Sequence, residues 1–216
     1  MKNGNVGEVK SSVFEDANIL FRNEDYDGVV KLLNGYLNQN NEDITALHLL
    51  GTSYAKLGQY AKAESAFHRE LKIDPSQADA YFNLGLIYAQ QQIADLAIDN
   101  FRKAIEYRPN DVQAMNDIGV IYYNQGEVEK AKEFFTQALK NNPSYKEAFL
   151  NIFELLWNEG KYSTALEHAY DFLNSLSQKT PGIKLEKEAT ESKVPEVQPS
   201  SKKKKKVAAT TSKVEA

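Results

Sequence analysis

The side chains able to do acid–base or metal chemistry are few and scattered. His48, His68 and His168 are the three histidines among 216 residues, and none sits in a metal-ligand pattern such as HExxH. There is no cysteine, which excludes disulfides, thiolate zinc sites, iron–sulfur clusters and a thiol nucleophile. The phosphate-cradling GxxxxGK[ST], the dinucleotide motif GxGxxG and the nucleophile elbow GxSxG are all absent. Glu64, Glu70, Glu129 and Glu133 fall on helix faces and read as solvated charge. No set of groups converges on a reacting atom. Catalysis, a metal, a cofactor and a small-molecule substrate are therefore not expected.

Charge separates the chain into two physically different parts. The net charge is −4, but residues 1–179 carry −8 and residues 180–216 carry +4. The basic part interrupts its pattern with Pro181, Gly182, Pro195 and Pro199 and is rich in Ser, Thr, Lys and Glu. So little apolar surface predicts a disordered tail. Within it Lys202, Lys203, Lys204, Lys205 and Lys206 run consecutively. The run reads as a solubilising segment, or as a weak, salt-sensitive contact to an anionic membrane or nucleic acid. In a eukaryotic cell it would also read as a nuclear import signal. No apolar run approaches the roughly 18 residues of a membrane span, and Met1 to Phe14 lacks the apolar core of a secretory signal. The expected compartment is the cytoplasm.

The elements follow from an internal period. Gly51, Gly85 and Gly119 are 34 apart, as are Tyr54, Tyr88 and Tyr122, then Phe67, Phe101 and Phe135, then Pro75, Pro109 and Pro143. Ala63, Ala97, Ala131 and Ala165 carry the step to a fourth copy. Within a copy the apolar residues recur at i, i+3, i+4 and i+7 in two runs, which predicts two amphipathic helices and a turn. Gly85 and Ala97 allow close helix approach, Phe101 is the knob expected between pairs, and Pro109 ends the second helix. Ser144 with Glu147 reads as a capping box, and Asn110 with Gln113 and Ser76 with Asp79 occupy the same places.

This period and residue pattern resemble the tetratricopeptide repeat. The resemblance covers residues 10–179: a degenerate copy at 10–43, full copies at 44–77, 78–111 and 112–145, and a divergent copy at 146–179. In the last, Phe153 replaces the small residue and Ser177 the proline. The expected fold is an all-α solenoid of about five helix pairs with a disordered basic C-terminal tail.

The family's first helices line a groove that takes extended peptides or helices. Carried over by phase, the resemblance assigns that groove to Asp79, Phe82, Asn83, Leu86, Asn116, Asp117, Tyr123, Asn151, Glu154 and Trp157, with His48 beside them. Asn83, Asp117 and Asn151 keep the 34-residue step and resemble the asparagine ladder of the O-GlcNAc transferase superhelix. An amide offers both a donor and an acceptor to a peptide backbone. The lysines and arginines that clamp a C-terminal carboxylate in chaperone-binding members are missing from this face. Phe82, Tyr123 and Trp157 read as aromatic anchors among acids.

The expected function is a non-catalytic protein–protein scaffold or adaptor whose partner is a peptide with apolar and basic residues. Two alternatives stand beside it. One is a self-assembling scaffold on a membrane surface, associating through Phe153, Tyr170, Phe172, Leu173 and Leu176. The other is the accessory, substrate-selecting subunit of an enzyme such as a glycosyltransferase. Replacing Asn83 and Asn151 by Ala is expected to spare folding and weaken binding. The lysine run is expected to fold back onto the acidic groove or to dock in a neighbour's groove.

Overall fold

The computed structural model of the chain describes residues 6–177. Among them run ten helices and no strand: α1 (Val6–Arg22), α2 (Tyr26–Leu37), α3 (Ile44–Lys56), α4 (Tyr60–Ile73), α5 (Ala78–Gln90), α6 (Ala94–Tyr107), α7 (Val112–Asn124), α8 (Val128–Asn141), α9 (Lys146–Asn158) and α10 (Tyr162–Ser177). The fold class is the expected all-α helix-pair solenoid. The lysine run and the tail lie outside the described residues.

The chain forms two compact units, one holding α1–α6 up to Arg108, the other beginning at Pro109 and holding α7–α10. In the first unit α1 pairs with α2, α3 with α4 and α5 with α6, while α2 packs on α3 and α4 on α5. In the second, α7 pairs with α8 and α9 with α10, and α8 packs on α9. Ala17, Val29, Leu33, Leu47 and Leu50 centre one core cluster in the first unit. Phe135, Ile152, Leu155 and Ala165 centre one in the second.

A size rule holds each pair together. A Cβ added to Gly51 would lie 2.9 Å from the Phe67 ring, at Gly85 2.7 Å from Phe101, and at Gly119 2.5 Å from Phe135. The phenylalanine is therefore seated on the backbone of its own pair's first helix, not between pairs as the sequence suggests. The divergent copy exchanges the sizes, with Phe153 at the glycine register and Ala169 at the phenylalanine register. The degenerate copy grades them, with Ala17 and Leu33 both fully buried.

The tight turn inside each pair has a single geometry. Glu24, Gly58, Gln92, Gly126 and Gly160 are 34 apart and all have positive φ, from 58° to 82°. The following amide bonds back to the first helix, for example Ile93 N–H to Tyr88 O at 2.9 Å and Glu127 N–H to Tyr122 O at 2.9 Å. This is the left-handed C-terminal cap that glycine adopts most readily.

The start signals need correction. Asp43 and Asp111 cap α3 and α7, accepting from Ala46 N–H at 3.2 Å and Ala114 N–H at 2.9 Å. At α5 and α9 the capping place holds Gln77 and Tyr145, with no side-chain cap bond. Ser76 and Ser144 stand one residue earlier and donate instead to Asp74 and Asn142. The S-x-x-E pattern is thus one residue out of register with the helix start.

Candidate functional site

In the first unit the residues assigned to the groove lie on α5. Asp79 is exposed and pairs with the Arg108 guanidinium. Phe82 and Leu86 are 8% and 3% exposed, and the Phe82 ring packs 5.4 Å from Phe101. Phe82 belongs to the packing of the α5–α6 pair, which corrects its reading as an open anchor, and Leu86 is buried as well. Their phase is right, but the helix face at that phase is already covered. Asn83 is 2% exposed, and its Oδ1 has no hydrogen-bond partner.

On α3 of the same unit, His48 Nδ1 lies 3.1 Å and 3.2 Å from the two carboxylate oxygens of Glu70 on α4. Its ring meets Phe67 edge-on at 5.6 Å. Glu70 is almost fully buried, which corrects its reading as solvated charge. It follows Phe67 by three residues, so the same helix phase that seats the knob also carries the carboxylate inward. Glu64 is also engaged, accepting from the Tyr88 hydroxyl at 2.5 Å. Burial, helped by that bond, pushes the Tyr88 phenol up to about 12.

In the second unit the amide row is knitted together. Asn151 Nδ2 on α9 donates to Asn116 Oδ1 on α7 at 2.9 Å, and Asn116 Nδ2 donates to Asp117 Oδ1 at 3.3 Å. All three side chains are buried. The link runs from Asn151 to Asn116, not along the 34-residue step to Asp117. Tyr123 on α7 is half-buried. Burial first, and then the Glu154 charge, hold its phenol above the ordinary value. Trp157 is exposed at the end of an aromatic run, stacked on Phe153 at 5.5 Å and edge-on to Tyr162 at 4.8 Å.

The electrostatics of these helices are one-sided. Helices α5 and α7 contain no lysine or arginine, and α9 contains only Lys146 at its first position. Asp79, Asp117, Glu147 and Glu154 lie on the same helices. Among the described residues no three of His, Cys, Asp and Glu are grouped so as to hold a metal ion. No described helix is long and apolar enough to cross a membrane.

Tetratricopeptide-repeat models match residues 48–111 and 112–145. The chain belongs to the tetratricopeptide-repeat proteins. Over 82 residues it is 32% identical to the rhomboid protease GluP of Bacillus subtilis strain 168, a stretch that is 38% of this chain and 16% of that protein. MamA residues 41 to the end from Desulfovibrio magneticus RS-1 superpose with a TM-score of 0.67 at 18% identity, covering 83% of this chain and 99% of that one. YrrB, described as a tetratricopeptide-repeat protein with an unusual peptide-binding site, superposes with a TM-score of 0.58 at 21% identity over 77% of this chain and 90% of its own. At such identities the structures share the fold.

Proposed function

We propose that this protein is a non-catalytic scaffold that captures basic peptide segments on the amide-bearing helices of each compact unit taken by itself. The observation that carries this is Asn83, whose carbonyl oxygen is buried and unpaired. An orphaned buried acceptor costs about 1–3 kcal/mol, and a ligand donor would relieve that cost once local opening of α5 admits it past Phe82 and Leu86. A peptide N–H supplies that donor. Helices α5 and α7 carry no lysine or arginine, so a basic side chain of the ligand meets no like charge from them. In the second unit, Trp157 and Glu154 supply an exposed aromatic face and a carboxylate for an apolar or basic side chain. A peptide site in YrrB, on the same fold, is consistent with this use.

The test is selection of a displayed random-peptide library on the full chain, followed by affinities for the selected peptides. Selected sequences should be enriched in Lys and Arg among apolar residues. Asn83→Leu fills the same volume without the orphan acceptor. It should leave the thermal midpoint unchanged or higher and weaken binding about tenfold, or about 1.4 kcal/mol. Acidic selected peptides, or undiminished affinity in Asn83→Leu, reject the reading.

A further inference from the structure

We infer that His48, set in place by the buried carboxylate of Glu70, donates a hydrogen bond to a backbone carbonyl of the peptide that the first unit captures. The inference rests on the peptide-capture reading and adds a donor on α3 to the acceptor that Asn83 supplies on α5. Packing does not ask for this pair. His48, Phe82, Asn116 and Leu150 share one register of the 34-residue step, and Glu70, Ala104, Ala138 and Phe172 share another. At the second register the α5–α6 and α7–α8 pairs each hold a fully buried alanine. The α3–α4 pair holds a carboxylate there instead, and a buried charge is costly unless it is paired and hydrogen-bonded.

The geometry gives the two ring nitrogens of His48 different tasks. Nδ1 meets both oxygens of Glu70, whereas Nε2 bonds to no described residue. The Glu70 side chain is 1% exposed and that of His48 24%, so the imidazole joins a dry carboxylate to a surface a ligand can reach. In an electrically neutral pair Nε2 carries a proton whichever partner holds the shared one, so the outward nitrogen is a donor. The Phe67 ring, edge-on at 5.6 Å, steadies the imidazole. One turn on, the Thr52 hydroxyl is committed to the His48 carbonyl oxygen at 3.0 Å. Glu70 offsets the charge of an imidazolium, so the pair does not repel a basic ligand. A peptide of basic and apolar residues with an amidated end offers backbone carbonyls as its acceptors. Glu70 is then a positioning residue, acting through His48.

C-terminally amidated peptides selected on the full chain test this against a variant carrying His48→Phe with Glu70→Ala. That variant copies the Phe82–Ala104 combination of the next pair. Its thermal midpoint should hold or rise, because packed apolar residues replace a buried ion pair at little cost. Its affinity for the peptides should fall about tenfold. Undiminished affinity overturns the inference and leaves peptide capture standing, whereas a library that yields no binder rejects both. Nitrogen-15 spectra of the imidazoles add a readout that packing alone does not move. In the wild type at neutral pH, His48 Nε2 should be protonated, and bound peptide should shift it while the His68 and His168 signals stay in place. Glu70→Ala keeps the imidazole but should change the His48 Nδ1 signal and weaken binding as well. An Nε2 that carries no proton, or that bound peptide leaves unmoved, overturns the inference. So does a Glu70→Ala variant that binds as the parent does.

Discussion

At the scale of single residues, one rule explains several substitutions. The helix backbone at Gly51, Gly85 and Gly119 is the seat of a phenylalanine ring. Gly119→Ala places a methyl 2.5 Å from Phe135 Cε1 and should lower stability by about 1–3 kcal/mol. Gly35→Ala meets nothing and should raise it by about 0.5–1 kcal/mol, because alanine has less backbone freedom to lose. Urea titrations of the two variants should therefore move in opposite directions. Phe153 and Ala169 show why the rule was only half legible in sequence. The departure at Phe153 is visible alone, but its compensation lies 16 residues on and becomes meaningful only once the glycine–phenylalanine contact is known. The amide row shows the same limit. Phase places Asn151 correctly, but the geometry joins it to Asn116, so Asn151→Ala leaves a buried amide without its partner. That variant should lose about 1–3 kcal/mol of stability, and the expectation that it spares folding is corrected. Asn83 has no such bond, so removing its amide leaves no protein partner unpaired.

At the scale of helices and turns, the period identified all ten helices, because the inner copies bury a stripe that recurs every 34 residues and the outer copies keep part of it in phase. It did not single out the caps. The left-handed position was spelled by Gly58, Gly126 and Gly160, but Glu24 and Gln92 hide it in the other two copies. A non-glycine residue there is strained by roughly 1 kcal/mol, so Gln92→Gly should stabilise the protein by about 0.5–1 kcal/mol. Gly126→Gln should destabilise it by a similar amount, and denaturant midpoints will show both. The Asp43 cap adds a pH dependence. Burial alone would raise its carboxyl pKa, but Lys10 at 2.7 Å, the Ala46 amide and the Tyr36 hydroxyl together hold it below the ordinary value. A depressed folded pKa contributes stability that is fully present above the unfolded value of about 3.9 and is lost as pH falls through the folded one. Asp43→Asn keeps a capping side chain but removes this titration. Its loss of stability between about pH 5 and 2 should be shallower than that of the parent.

At the scale of the whole molecule, stability in a repeat array is a sum of local terms and neighbour contacts, so it need not be even along the chain. Helix α5 buries nine residues, Phe82, Asn83 and Leu86 among them, whereas α10 buries Ala165 alone. Opening α10 exposes little apolar surface that is not already wet, and the aromatic stack of Phe149 on Phe172, with centroids 4.2 Å apart, is one of its ties to α9. Opening α5 uncovers a core on both sides. Native-state hydrogen exchange at low protein concentration should therefore find α10 amides exchanging fastest among the described helices beyond α1, and α5 amides slowest. Phe172→Ala should accelerate α10 further and leave α5 unchanged, because the two lie in different compact units. Uniform protection from α3 to α10 would instead mean that the array opens as a single cooperative body, and that the sparsely buried last helix is held by contacts beyond its own pair.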